Sequence, residues 1–498
     1  MIKKSSYRAF ASSLIILFSL NAQPVEIEDI TTSVVVQKNS LKVGINESFK
    51  KSWLTGDFFA LYESDINLEE MPYSIALLPF IYNIYPVIWV SGKNYSIECM
   101  DEDAYYSLEK VKKVLQRLYP QTPLTGNLIP KELVKNRPSV PLVDSTKSIA
   151  ILYSSGLDST ACSFEHYDKK QLLISAHGHA DLPVRKVRLW KNRQQKFIEY
   201  AQDYGHTNAF LKSNYTEFLN WEVIEKISPE ITSWRVDTTE GVGIFGAAVP
   251  ILFAKGYSTL LIGSSFTWHY PYPTAANPLV DDNLIVADTI SLKHTHFDYT
   301  RFDKVKLIVD LVRTKNIKIP SMRVCDYKKS GENCCQFCAK CQTVMNSLIA
   351  LGEDPVPYGF NITPEEVVQR TKEYFSEGQG YWTSWNFCDM QQKLKSLPKI
   401  PQSAQWLLQY NFMKKVSYYA AGTKTRVNWH NFRDLAPSTL TIPTEISTNF
   451  CDNAKRQRKQ EIAKHTYDKL LIKLKKRSEK NRFREIKTEK NNLPVNVS

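Results

Sequence analysis

The chain has 498 residues, of which 43% are hydrophobic and 23% charged, with a formal net charge of +13. That length holds roughly two to four domains, and the apolar share supports a large core, which excludes a disordered or low-complexity chain. The charge excess is local: fifteen Lys/Arg against five Asp/Glu fall between Ala454 and Lys490, so the remainder is near neutral and carries no nucleic-acid signal of its own.

Residues 1–24 have the outline of a signal peptide: Lys3 and Lys4, an apolar run over 9–20, then Ala22. Serines interrupt the run, and Pro24 follows the small residue. A cluster of reduced thiols further along suits a cytoplasmic protein, so 1–24 is read as an N-terminal extension. From 25 to 145 the pattern predicts a smaller α+β domain. It has β-rich runs at 32–36 and 41–45, two buried strands in the apolar run 75–90 broken by Pro79 and Pro86, and a helix over 103–118. Leu108, Val111, Leu115 and Leu118 form that helix's apolar stripe. The run 75–90 is shorter than the roughly 20 residues of a membrane span. Linker chemistry at 136–141 places a boundary near Ser145. This unit holds no acid, base or nucleophile constellation, which suits substrate shaping or partner binding.

The apolar run 149–153 reads as a buried strand emptying into Ser154, Ser155, Gly156, Leu157, Asp158, Ser159 and Thr160. Asp158, Ser159 and Thr160 supply N-cap residues for a helix over 161–165, and unpaired N–H groups at such a helix start favour a phosphate. The glycine pair and lysine of a Walker loop are missing, as is a Rossmann fingerprint. What the turn resembles is the PP-loop, Ser-Gly-Gly-x-Asp-Ser, of the ATP pyrophosphatases, which split ATP into AMP and pyrophosphate to adenylate a substrate. By that resemblance the turn from Ser154 to Thr160 holds the pyrophosphate part of ATP, Asp158 helps organise Mg2+, and Asp158 and Ser159 carry the catalytic roles. Ser155 stands where the family's first glycine does, a departure that matters if the position needs positive φ or close phosphate approach.

Further on, a strand at 171–176, a helix at 188–204 and a strand at 259–263 predict an α/β, doubly wound, mostly parallel sheet over 146–351. Ligands in such sheets bind beyond the strand C-termini at a topological switch point, which selects the loops after Tyr153, Ala176 and Ile262. The resemblance places the stretch from His177 to Asp181 near the adenosine side of the site, so Ala176, His177 and Gly263 join the nucleotide-binding set. His177 and His179 flank Gly178 in a loop whose geometry leaves a metal or base role open. Glu240 to Ala248 is a glycine-spaced helix start with no strand before it, which suits close packing beside the nucleotide. Trp268 and its neighbouring aromatics, with Asp281 and Asp282, are expected to take the acceptor substrate: rings stack on a planar group, and the carboxylates read its donors or bind a second magnesium. Turn formation alone also accounts for the Asp-Asp-Asn run. Arg301, Lys304, Lys306 and Arg323 offer cations to balance pyrophosphate charge, and the sequence does not choose among them.

Five of the nine cysteines fall between 325 and 341. Cys325 with Cys335, Cys338 and Cys341 offers four thiolates for a closed, structural Zn2+ site, with Cys334 an alternative to Cys335. The same spacing serves an iron–sulfur cluster. A PP-loop followed by a cysteine, nine residues and Cys-x-x-Cys-x-x-Cys is similar to the 7-cyano-7-deazaguanine synthase family, over about 147–351. The chain looks closer to larger PP-loop proteins with an extra N-terminal domain. The resemblance implies an ATP-dependent ligase or synthase using ATP, Mg2+ and Zn2+ for amidation or nitrile formation. Its substrate is not carried over, because the stretch after Gly263 does not match the family's substrate loop. Sulfur or amine transfer to tRNA or a small metabolite is the alternative enzyme. A nucleotide-sensing or nucleic-acid-binding module without turnover is the other, motivated by Ser155 and the tail. Residues 352–498 read as a helical region ending in a basic tail that would meet RNA or DNA phosphates, or simply form a solvated helix.

Overall fold

A computed structural model describes residues 27–63, 65–179, 181–270, 272–325, 335–418 and 427–446. The extension 1–24 and the basic tail lie outside the described residues. The N-terminal third runs β1 (Thr31–Gln37), β2 (Ser40–Ile45), α1 (Glu47–Trp53), β3 (Phe58–Tyr62), α2 (Tyr73–Ala76), α3 (Leu78–Ser91), β4 (Asn94–Asp101), α4 (Glu102–Leu118) and β5 (Asn127–Val134). The middle of the chain continues with β6 (Ser148–Leu152), α5 (Leu157–Glu165), β7 (Lys170–His177), α6 (Val187–Tyr204), β8 (Thr207–Ser213) and α7 (Trp221–Ile224). Then come α8 (Glu240–Lys255), β9 (Thr259–Gly263), α9 (Pro278–Asp281), β10 (Ile285–Val286), β11 (Ile290–Thr295) and α10 (Arg301–Lys315). The described C-terminal part holds α11 (Ala339–Ala350), α12 (Pro364–Ser376), β12 (Gln379–Gly380), α13 (Tyr381–Leu394), α14 (Gln405–Gln409) and β13 (Val416–Tyr418).

The molecule is α/β, built on a mixed nine-stranded sheet in the order β1-β2-β3-β8-β7-β6-β9-β11-β10. Its central strands from β8 to β11 are parallel, while β1, β2, β3 and β10 join antiparallel at the edges. The strand residues alternate between two cores, as a period of two requires. Ala150, Leu172, Ile174 and Leu260 face a core shared with α3, α4 and α8. Ile151, Leu173 and Leu261 face the other, shared with α5, α6, α10 and α11. Both faces are therefore covered, which is what the near-continuous apolar runs of the central strands demand.

The boundary expected near Ser145 does not separate two sheets. β3 pairs with β8, through Ala60–Ser213 and Leu61–Lys212, so β1 to β3 extend the central sheet, and the first core spans both sides of the linker. Only β4 and β5 form a separate two-stranded sheet in this region. The expected strands at 32–36 and 41–45 and the helix over 103–118 are present as β1, β2 and α4.

The apolar run 75–90 is helical, not two strands: it forms the end of α2 and nearly all of α3. Two features hid the helix. Nearly every side chain of α3 is buried, so no polar face marks a 3.6-residue period. Pro79 lies in the first turn, where its missing N–H costs nothing, and Pro86 sits inside the helix without ending it. The partner of α3 is α8, which likewise runs through Pro250. Its glycines make the contact: a Cβ at Gly246 would lie 2.2 Å from Tyr82 Cβ, and one at Gly243 would lie 2.4 Å from Asn83 Oδ1. Those glycines thus serve helix packing against α3, while Glu240 and Ile244 of the same helix face the cleft described next. The stretch Arg235–Lys255 is long and apolar enough to cross a membrane, but 89% of its most apolar window is buried within the fold.

Candidate functional site

The strand order reverses at β6: β7 and β8 lie on one side of it, and β9 and β11 on the other. The crevice expected at such a switch point is present. Its first lobe, about 160 Å³, is lined by the ends of β6 (Leu152, Tyr153, Ser154), β7 (Ile174, Ser175, Ala176) and β9 (Ile262, Gly263). A second lobe of about 190 Å³ opens onto Gly156, Leu157, Arg235, Arg301, Arg323, Val324, Cys325 and Lys340. Ser154, Asp158, His179, Asp181, Glu240 and Ser265 line both lobes, so the two are one cleft.

A tight turn joins β6 to α5. Helix α5 begins at Leu157 with Gly156 as N-cap and no side-chain cap. Asp158, Ser159 and Thr160 are thus first-turn residues, not the caps expected from the sequence, and the early N–H groups are left to the cleft. Ser159 Oγ instead accepts from Ser154 N–H at 3.2 Å and lies 3.2 Å from Ser154 Oγ, closing the turn on itself. Ser155 has φ +58°, the left-handed region that glycine occupies without cost. The Ser155 hydroxyl bonds to the Ser154 carbonyl at 2.7 Å, and its own carbonyl accepts from Arg323 N–H at 2.8 Å. Gly263 is required for a different reason: a Cβ there would lie 2.4 Å from Asp158 O, so only glycine lets β9 approach the α5 N-terminus this closely.

Charge in the cleft is paired, with cations in excess. Asp158 lies 3.0 Å from Lys304 Nζ and 3.4 Å from Arg301 Nη2, both of which are buried. Burial alone would raise the Asp158 pKa, but Lys304 and Arg301 outweigh it and hold the carboxyl below its usual range. Burial likewise opposes ionisation of Asp181, yet Arg193 at 2.5 Å, with His179 and Arg323, brings it to about 2. Glu240 is also held low against burial by Arg235 at 2.5 Å. His179 is pushed down by burial and then by Arg235, so it is neutral near pH 7, and its Nδ1 is 2.5 Å from Tyr215 Oη.

The cysteine cluster adjoins the second lobe through Cys325. The Sγ atoms of Cys325, Cys335, Cys338 and Cys341 all lie within 4.8 Å of one another, and all four cysteines are free thiols. Cys335 Sγ to Cys341 Sγ is 3.9 Å and Cys338 Sγ to Cys341 Sγ is 3.5 Å, close to the separation of about 3.8 Å between sulfurs on one tetrahedral zinc. Backbone N–H groups of Phe337 and Cys338 point at Cys335 Sγ, and that of Cys335 at Cys325 Sγ, as outer-shell support for thiolates. Gln336 takes φ +65° to turn the chain between them. The four sulfurs fit a metal ion such as zinc. Cys334 lies outside the described residues.

The structure brings together most of the expected nucleotide-binding residues, but not the expected acceptor residues. Ser154, Gly156, Leu157, Asp158, Ser159, Ala176 and Gly263 line the cleft, whereas Ser155 and Thr160 line neither lobe. His177 is the last residue of β7 and stacks on Trp190 at 5.1 Å, away from the lobes. Trp268 is buried edge-on against Phe297 and Trp429. Asp281 is buried against Gly241 and His294, with Oδ2 2.7 Å from His294 Nδ1; burial raises its pKa well above the ordinary carboxyl value. Asp282 pairs with Lys293 at 3.3 Å. These three side chains are buried in packing contacts and line neither lobe of the cleft. Of the four candidate cations, Arg301 and Arg323 line the cleft and Lys304 holds Asp158, while Lys306 pairs with Asp310 outside it. Arg193, Arg235 and Lys340 were not foreseen, and the stretches holding Asp181 and Glu240 were placed near the nucleotide without a role for either carboxylate. The charged pairs Asp181–Arg193 and Arg235–Glu240 at the two cleft loops were the available signal.

Compared with family models, curated proteins and solved structures, the chain matches none.

Left-handed backbone at Ser155 gives an ordered set of expectations. Ser155→Val places a β-branched side chain at positive φ and should cost about 2 kcal/mol relative to Ser155→Gly in denaturant unfolding, whereas equal stabilities would show that the turn is not strained there. For the cysteine cluster, the purified chain should carry about one zinc, measured by elemental analysis and released on thiolate modification. Cys338→Ser should lose it together with thermal stability. Metal-free protein of unchanged melting temperature would contradict a structural ion.

Proposed function

We propose that the cleft binds ATP and that the protein is an ATP-dependent adenylating enzyme of the PP-loop class, releasing AMP and pyrophosphate as it activates an acceptor. The observation that carries this reading is the two-lobed cleft itself. A lobe of mixed apolar and polar lining at three strand ends suits a base and ribose, and it continues into a lobe formed by an uncapped helix start and the cations Arg235, Arg301, Arg323 and Lys340. The resemblance of Ser154 to Ser159 to the PP-loop and of the four cysteines to the zinc site of 7-cyano-7-deazaguanine synthases supports the same assignment. The fold proposed with it is that of the PP-loop ATP pyrophosphatases, with β1 to β3 extending the sheet at one edge and α12 and α13 packing against α11.

In this reading the first-turn N–H groups of α5 and the Ser154 and Ser159 hydroxyls hold the β- and γ-phosphates, while Arg301, Arg323 and Lys340 meet the charge that accumulates on departing pyrophosphate. An acceptor oxygen forms its bond to the α-phosphorus as the bridging oxygen leaves with pyrophosphate, and a second nucleophile then displaces AMP. Among the described residues, the three carboxylates of the cleft, Asp158, Asp181 and Glu240, are already paired with Lys or Arg, and the cysteines are the only metal-ligating cluster. Magnesium would enter on the triphosphate's own oxygens.

The test is incubation of the full-length chain with α-labelled ATP, magnesium, ammonium and a panel of carboxylic acceptors. AMP and pyrophosphate should form in acceptor-dependent amounts and fall at least about 100-fold in Arg323→Ala. Binding of ATP without cleavage under every acceptor would point to a nucleotide sensor instead, and absence of ATP binding would overturn the reading.

A further inference from the structure

Where the lobes meet, the α-phosphate of a nucleotide lying along the cleft would be placed, because its base occupies one lobe and its pyrophosphate the other. Six residues line both lobes, and His179 is the one among them with a nitrogen-bearing side chain. Its ring orientation is fixed from behind. Tyr215 Oη lies 2.5 Å from His179 Nδ1, and Tyr215 is buried beneath the loop.

The direction of that bond decides what His179 can do. No other partner of the Tyr215 hydroxyl occurs among the described residues. If Tyr215 accepted from Nδ1–H, its own buried proton would be left unpaired, at a cost of about 1–3 kcal/mol. If Tyr215 donates, only oxygen lone pairs go unused, which is the cheaper arrangement. Burial raises the Tyr215 pKa, so the phenol keeps its proton for this purpose. Nδ1 therefore accepts, and the imidazole carries its proton on Nε2, on the cleft side of the ring.

Resting on the adenylation reading, we infer that His179 is a catalytic residue whose Nε2–H donates to a non-bridging α-phosphate oxygen in the transition state. The acceptor oxygen's lone pair forms the new P–O bond, the old P–O pair leaves with pyrophosphate, and His179 keeps its proton throughout. Tyr215 is a positioning residue acting through His179.

Two measurements on the full-length chain test this. In free protein carrying ¹⁵N-labelled histidine, His179 should show the Nε2–H tautomer, and Tyr215→Phe should populate the Nδ1–H form; an Nδ1–H tautomer in the unmodified chain overturns the inference whatever the reaction proves to be. In turnover, His179→Ala should lower kcat for AMP formation about 100-fold with KM for ATP changed less than about threefold, and Tyr215→Phe should lower it by a smaller factor. Unchanged kcat in His179→Ala, with the unmodified chain active, overturns the inference and leaves the adenylation reading standing. A chain that binds ATP but shows the wrong tautomer separates the two in the same way. Should His179→Ala fail to fold, Tyr215→Phe and the tautomer decide the matter.

Discussion

Asp158 places a carboxylate in the first turn of α5, half-buried at the point where three strands end, and it stays ionised because Lys304 and Arg301 of α10 reach across to it. The rest of the cleft depends on this contact. It fixes α5 to α10 on one face of the sheet, and Lys304 also donates to the Ser264 carbonyl, tying in the loop after β9. Ser265 Oγ adds a bond to Asp158 at 3.2 Å. Removing one partner of such a buried pair typically costs about 3–5 kcal/mol, because the remaining charge is stranded. The β6–α5 turn is thus held by its far side, leaving its N–H groups to the cleft.

The cysteine cluster bears on the same turn from below. Met322 to Cys325 runs beside it, with Arg323 N–H bonded to the Ser155 carbonyl and Cys325 forming part of both the thiol cluster and the second lobe. A metal closing the four sulfurs would stiffen this segment and so hold Arg323 against the turn, which makes a structural ion relevant to ligand binding without any part in chemistry. The cleft side chains Arg193, Arg235, Arg301, Lys304, Arg323 and Lys340 outnumber Asp158, Asp181 and Glu240. That excess of buried and half-buried positive charge is what a polyanionic ligand would neutralise.

Much of the central sheet was legible because its strands carry uninterrupted β-branched and aliphatic runs bounded by polar turns, as at 149–153, 171–176 and 259–263. The turn after Tyr153 and the cysteine spacing were legible for the same reason: local chemistry at fixed intervals. What sequence could not supply was anything set by tertiary contact. The run 75–90 lost its helical period because α3 is buried on every side, and the linker at 136–141 hid the fact that β3 joins β1 and β2 to the sheet beside β8. Trp268, Asp281 and Asp282 looked like a binding surface because aromatics and paired carboxylates suggest one, yet they are buried against Trp429, His294 and Lys293 and line neither lobe of the cleft. Arg193 and Asp181, twelve residues apart, meet only because α6 folds back over the β7 loop.

A crystal structure of the full-length chain with a non-hydrolysable ATP analogue tests the central claim most directly. The account predicts phosphate oxygens within hydrogen-bond distance of the backbone N–H groups from Gly156 to Ser159 and of Arg301, Arg323 or Lys340, with the base in the lobe between Ala176 and Ile262. An empty cleft at saturating analogue, or a nucleotide bound elsewhere on the chain, would contradict it.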